Sequence, residues 1–206
     1  DGSNEMGAKL PAVDLGAGRT ALSVTAGVSH TCALLDDATV KCWGRNDYGS
    51  LGIGDMSNRG DGSYEMGANL TAVDLGAGRT AVSLSAGLFY VCALLDDATV
   101  KCWGDNQYGQ LGYGDILNRG DGSNEMGVDL GAGRTAVSVS NGDAYTCALL
   151  DDATVKCWGA NLPAVDLGTG RIALSVSSGN DHTCALLDGA TVKCWGSNNN
   201  GQLGYG

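Results

Sequence analysis

The stretch Thr31-Cys32-Ala33-Leu34-Leu35-Asp36-Asp37-Ala38-Thr39-Val40-Lys41-Cys42-Trp43-Gly44 recurs with few changes at 91–104, 146–159 and 183–196, and the rest of the chain hangs between these four copies. Repetition at this spacing constrains the fold more than any single motif, because repeated units that cannot bury their apolar faces alone must stack and share a core. Within each copy two short apolar runs flank an Asp-Asp-Ala or Asp-Gly-Ala tip, the pattern of a β-hairpin with a loop of about three residues. A tip centred on Asp37 sets Leu35 opposite Thr39, Leu34 opposite Val40, and Cys32 directly opposite Cys42. Opposed residues of a non-hydrogen-bonded antiparallel pair lie roughly 4.5 Å apart at Cα, within the range a disulfide accepts.

The eight cysteines therefore read as four cross-strand disulfides with none left over: Cys32 with Cys42, Cys92 with Cys102, Cys147 with Cys157, and Cys184 with Cys194. Nine residues between thiols on the two strands of one hairpin do not match the short knuckle spacing of a structural zinc site. Each bridge closes a loop of about eleven residues and is expected to stabilise its hairpin by roughly 2.5–3 kcal/mol in the chain-entropy account. Cytosolic thiols are kept reduced, so this pattern leads us to expect an extracellular or secreted protein.

A second strand is expected before each hairpin, at Thr20–Val24, Thr80–Leu84, Thr135–Val139 and Ile172–Val176. Leu or Val alternates there with Ala or Ser, the period of a strand packed on both faces. A glycine-rich turn such as Asp14 to Arg19 precedes each one. After Trp43-Gly44, and again after Trp103-Gly104 and Trp195-Gly196, turn-rich segments surround single apolar residues, Leu51, Leu111 and Leu203. The third copy omits this excursion and runs from Trp158-Gly159 through Ala160 to Pro163 straight into Ala164-Val165-Asp166-Leu167.

Counted from the inner strand, the repeats are 20–79, 80–134, a short 135–171, and 172–206, all in one domain spanning 1–206. Residues 1–7 copy 121–127. The segment 1–19 thus supplies what the last repeat lacks, which suits either one chain closing on itself or neighbours completing one another head to tail. The start at Asp1 reads as that of a processed or excised segment.

A net charge of −11 argues against nucleic acid as a partner, since phosphate binding needs clustered Lys and Arg. No apolar run reaches membrane-spanning length, so membrane insertion is not expected. The 34 glycines occupy fixed turn positions in each repeat. Asn69-Leu70-Thr71 is a glycosylation sequon at Asn69. No cofactor is assigned. The alternative kept open is a calcium loop, because Asp61, Ser63 and Glu65, and again Asp121, Ser123 and Glu125, space oxygen ligands like the start of one, without its later bidentate Glu. Arg59-Gly60-Asp61 and Arg119-Gly120-Asp121 spell an adhesion tripeptide. His30 and His182 are replaced by Tyr90 and Tyr145 in the other copies, which reads as packing at a bend and not as catalysis. Trp43, Trp103, Trp158 and Trp195 read as packing between repeats. No nucleophile elbow, phosphate loop or Ser/His/Asp set is present, so no enzyme is expected.

The motif Gly-x-x-His-Thr-Cys-Ala-Leu-Leu-Asp-Asp-x-Thr-Val-Lys-Cys-Trp-Gly-x-Asn-x-x-Gly-Gln-Leu-Gly resembles the repeat of the regulator of chromosome condensation family, in its secreted, cysteine-paired branch. The best copies are 27–52 and 179–204, and the match covers nearly the whole chain. The resemblance implies an all-β propeller of four-stranded blades, usually seven. Only four are counted here, so the chain is either a closed four-bladed ring or part of a larger or assembled array. The expected function is a non-enzymatic extracellular module for protein interaction or structural assembly, its partner another protein or further copies of itself. A secreted enzyme inhibitor, similar to the β-lactamase inhibitors of this family, is the alternative. Guanine-nucleotide exchange on a small GTPase, which the family name suggests, fits the acidic, cysteine-rich chain less well.

Overall fold

A computed structural model describes residues 10–120, 127–160 and 162–205. They form twelve strands in four three-stranded antiparallel sheets. The first sheet is β1 (Ala21–Ala26), β2 (His30–Leu35) and β3 (Val40–Gly44). The second is β4 (Ala81–Ala86), β5 (Tyr90–Leu95) and β6 (Val100–Gly104). The third is β7 (Ala136–Asn141), β8 (Tyr145–Leu150) and β9 (Val155–Gly159). The fourth is β10 (Ala173–Ser178), β11 (His182–Leu187) and β12 (Thr191–Gly196). Inner strands stand side by side, β1 against β4, β4 against β7 and β7 against β10, so the sheets radiate as blades; no comparable contact joins β1 to β10. Among the described residues the blades form an open arc.

The hairpin register agrees with the sequence. Leu34 pairs with Val40 and Cys32 with Cys42, and the same pairs repeat in every blade. All four disulfides form, across Cα separations of 4.0–4.1 Å. Asp37, Asp97 and Asp152 close the first three tips by accepting hydrogen bonds from the backbone N–H and hydroxyl of the Thr two residues on. This leaves Ala38, Ala98 and Ala153 each at φ 62°.

The inner strand departs from strict alternation. A bulge after its first residue sets Ala21 opposite Leu35 and Ser23 opposite Leu34, and the other three blades repeat it. The residue expelled is the apolar one, Leu22, Val82, Val137 or Leu174, which is exposed in every blade. Alternation alone would have placed it on the packed face with Val24 or its counterpart. The fourth strand implied by the family resemblance is reduced to isolated bridges, Gly44 with Arg59 and Gly104 with Arg119. The glycine-rich segment there is held at single points.

Three apolar clusters lie between successive blades and constitute the core. Each receives the hairpin disulfide side of one blade and the Trp side of the next, plus a Val and a Leu from the connecting segment: Val73 and Leu75, Val128 and Leu130, Val165 and Leu167. The short third connection still delivers its pair, so loss of the outer loop leaves the interface filled. No helix among the described residues is long and apolar enough to cross a membrane.

Two stability changes follow. An L-residue in the left-handed region is strained by about 1 kcal/mol, so Ala98→Gly is expected to raise stability by roughly 0.5–1 kcal/mol in denaturant unfolding. Cys92→Ala/Cys102→Ala removes a bridge that is fully buried. It is expected to lower stability by about 2–4 kcal/mol with the fold retained by circular dichroism.

Candidate interaction surfaces

The Gly-x-x-(His/Tyr) signature joins one blade to the next. In the second blade a Cβ on Gly87 would overlap the Tyr90 ring, so glycine lets the ring lie back across the bend. The Tyr90 hydroxyl then reaches the next blade and donates to the Tyr145 carbonyl. The Tyr145 hydroxyl likewise donates to the His182 carbonyl at 2.6 Å. His30 occupies the same place in the first blade, 3% exposed, its ring turned toward the Tyr90 carbonyl. Imidazole is shorter than phenol, and neither of its nitrogens finds a well-formed hydrogen bond. Burial pushes its pKa down to about 4, partly opposed by the Tyr90 carbonyl.

Inner strands are also laced together by hydroxyls. Ala86 N–H donates to Thr25 Oγ1 at 3.0 Å, Asn141 N–H to Ser85 Oγ at 2.9 Å, and Ser178 N–H to Ser140 Oγ at 2.8 Å. At their ends Val28, Leu88, Asp143 and Asn180 line a shallow funnel where the four blades converge. Burial, with Asp181 nearby, raises the Asp143 carboxyl.

Of the tryptophans, Trp103 is fully buried between the first two blades and its indole N–H donates to the Ser50 carbonyl at 3.1 Å. Trp158 donates likewise to the Gln110 carbonyl at 2.9 Å. Trp195 packs at the third interface, and Trp43 is half-buried on the outer face of the first blade.

The outer loops have their own organiser, which the sequence reading passed over. Asn46 accepts the Leu51 N–H at 2.9 Å and donates to the carbonyls of Asp55 at 2.7 Å and Ser57 at 3.1 Å. Asn106 does the same around Leu111. The signal was an Asn two residues after Trp-Gly in all four copies, Asn46, Asn106, Asn161 and Asn198.

In the loop considered for calcium, the Glu65 carboxylate accepts the N–H groups of Gly60 and Gly62, both at 2.8 Å, and Asp61 lies 3.4 Å from Asn58 Nδ2. Ser63 is exposed. The copy at Asp121, Ser123 and Glu125 lies outside the described residues. Among the described residues no three His, Cys, Asp or Glu side chains are grouped as a metal would require. The arginines of the adhesion tripeptides are engaged by their own loops: Arg59 meets Asp55 at 2.5 Å and Arg119 meets Asp115 at 2.6 Å. Arg119 also lies over the Tyr113 ring. Asn69 is exposed at the end of a short 3-10 turn, Gly67–Asn69.

Two surfaces remain among the described residues. One is the row of expelled apolar residues, Leu22, Val82, Val137 and Leu174, on adjacent inner strands. Beside it stand the tip ion pairs, Arg19 with Asp37 at 2.7 Å, Arg79 with Asp97 at 2.9 Å, Arg134 with Asp152 at 3.0 Å and Arg171 with Asp188 at 2.8 Å. The other comprises the outer faces of the first and last blades.

Radial sheets joined through such interfaces define a β-propeller repeat protein. A family model for the regulator of chromosome condensation (RCC1) repeat matches residues 22–50, 81–110 and 174–202, three of the four repeats. It is 29% identical over 144 residues to the ultraviolet-B receptor UVR8 of Arabidopsis thaliana, covering 69% of this chain and 30% of that protein. To the human E3 ubiquitin-protein ligase HERC2 it is 28% identical over 139 residues, covering 67% of this chain and 3% of the ligase. The fold matches yeast RCC1 (Prp20), solved in complex with Kap60, with a TM-score of 0.72 at 18% identity over 94% of this chain and 47% of that one. The chain thus spans less than a third of either curated relative.

The neutral buried His30 makes the first interface acid-sensitive. With its native pKa below the ordinary 6.5, the folded state binds fewer protons than the unfolded one, so stability is lost as pH falls from about 6.5 to about 4. The loss amounts to about 3 kcal/mol at most. His30→Tyr is expected to flatten that part of the stability curve in urea melts across this range.

Proposed function

We propose that the chain is a non-enzymatic, extracellular module that binds another protein through the face carrying its inner-strand row. The observation that carries this reading is the exposure of Leu22, Val82, Val137 and Leu174 at 67%, 58%, 56% and 55%, at one register position of four adjacent strands. A single exposed apolar residue is ordinary, but a contiguous row rimmed by charged pairs is the composition of a protein-binding patch. The bulge that expels it recurs in all four blades. Propellers of this fold do serve protein partners, as yeast Prp20 does in its complex with Kap60. The four disulfides support an oxidising, extracellular setting.

Affinity capture from secreted proteins, comparing the wild type with Val82→Glu/Val137→Glu, tests the reading. The wild type is expected to retain a discrete protein whose affinity falls by about tenfold or more in the variant, corresponding to at least 1.4 kcal/mol. Both positions are exposed, so the melting temperature should be unchanged. Retention equal in both proteins, or catalytic turnover by a homogeneous sample, would overturn it. Should the captured protein be a hydrolase whose turnover is suppressed, the module is an inhibitor.

A further inference from the structure

We infer that the third blade takes an extended, basic, glycine-containing segment of another protein as its missing outer strand, seated in the cleft that the short third repeat leaves beside the second blade. The cleft lies between two internal blades and shares no residue with the inner-strand row, so this goes beyond the reading above and stands apart from it.

The second blade shows what such a seat holds. There the outer loop returns to the edge strand: Arg119 N–H donates to the Gly104 carbonyl at 3.1 Å, and Gly104 N–H donates to the Arg119 carbonyl at 2.9 Å. The next residue, Gly120, packs on the outer loop of the first blade, where Gly54 N–H donates to its carbonyl at 3.1 Å. A Cβ on Gly120 would overlap the Gly49 carbonyl, and one on Gly49 would come within 2.6 Å of the Arg119 carbonyl, so glycine on both sides lets the two backbones touch. One extended Arg-Gly segment thus closes its own blade and the cleft to the preceding one.

The third repeat has lost that segment from its sequence but keeps both surfaces that would receive it. Gly159 holds φ 111° where Gly104 has 110°, and Gly109, Gly112 and Gly114 stay left-handed like Gly49, Gly52 and Gly54. Among the described residues no bridge reaches Gly159, and Gly114 N–H, the counterpart of the Gly54 donor, has no acceptor. The connection itself turns away, for Leu162 packs in the third cluster on the opposite side of the blade. What remains is a cleft of about 400 Å³ with Tyr108, Tyr113 and Trp158 among its walls. Trp158 and Gly159 are half-buried there, whereas Trp103 and Gly104, where the loop is present, are buried. Unpaired backbone at a sheet edge is a template for an added strand. The glycines of the second-blade loop admit a close backbone and leave no room for a side chain at the facing position, which calls for glycine in the ligand. Asp115 and Asp129 line the cleft against one cation, Lys156, whose ammonium is already engaged by the Asp129 carbonyl at 2.9 Å. In a chain of net charge −11 this favours a basic segment. A second copy does not supply it, because both Arg-Gly segments are already bridged within their own chain, Arg59 to Gly44 and Arg119 to Gly104.

Fluorescence anisotropy with a labelled, amidated peptide of the chain's own loop sequence, Asp-Ile-Leu-Asn-Arg-Gly (115–120), tests this. At about 0.15 M salt the oxidised protein is expected to bind it saturably, with a dissociation constant on the order of 100 μM. The same peptide with valine in place of its glycine should bind tenfold or more weakly. Tyr108→Lys, at a position 59% exposed, should weaken binding of the parent peptide to a similar degree without changing the melting temperature. A variant carrying residues 105–127 in place of 160–164 supplies the third blade with its own outer loop and should not bind the peptide; if it fails to fold, Tyr108→Lys and the valine peptide still decide the matter. Amide exchange at Gly114 and Gly159 should slow in the presence of the peptide. No binding up to about 1 mM, equal binding of the valine peptide, or exchange at both glycines unaltered at saturation would overturn the inference. Val82→Glu/Val137→Glu should bind the peptide as the wild type does. A protein that captures its partner through the inner-strand row but ignores the peptide would sink this inference and leave the proposed function standing.

Discussion

Cross-strand pairing of two cysteines in each hairpin is the contact on which the other features depend. A hairpin that slips by one residue turns every side chain to the opposite face. With Cys32 bonded to Cys42 across 4.1 Å, slippage is blocked, and the face of every residue in β2 and β3 is decided. The disulfide, Leu34 and Val40 then belong to one side, and Thr31, Ala33 and Trp43 to the other. Because the same pin recurs in each blade, the disulfide side of one always meets the Trp side of the next. The bridge therefore acts through packing as well as through the entropy of the unfolded chain.

Around that pin, the interfaces tolerate variation where they do not need it. The third connection lacks the outer loop but keeps Val165 and Leu167, which fill the same gap as Val73 and Leu75. The bend ring can be Tyr or His because glycine three residues earlier leaves room for either. The two differ in reach: Tyr90 and Tyr145 hydrogen-bond into the following blade, whereas His30 is buried without a well-formed bond. The outer loops are held by their own Asn-centred networks and contribute buried Leu51 and Leu111, with Ile53 and Tyr113 beside them, to the clusters.

Polar groups are largely absorbed by the scaffold. The tip aspartates cap turns and pair with arginines, the loop glutamate binds backbone N–H groups, and the tripeptide arginines are held by aspartates four residues earlier. The most regular surface left open by the scaffold is apolar, the row along the inner strands. A protein whose open surface is apolar and repeated has the character of a binding module.

Much of the architecture was legible in the residues alone. The four hairpins, their register and the disulfides followed from the C-x9-C spacing about a three-residue tip, because strand pairing about a short turn is local and has period two. The resemblance to the RCC1 repeat was legible for the same reason, since Trp-Gly, Gly-Gln-Leu-Gly and the bend ring recur in phase. The inner strands were placed within two residues, but their bulge was not, because a bulge is a mismatch between two strands and leaves no mark on one strand's alternation. It turned Leu22, Val82, Val137 and Leu174 from expected core into surface. The roles of Asn46 and Asn106 were likewise hidden, as their partners lie five to eleven residues away in a loop without periodicity. Whether four blades close was decided by the tertiary structure alone: the angle between blades is set by the side chains filling each interface, and these leave the described blades as an arc with its end faces apart.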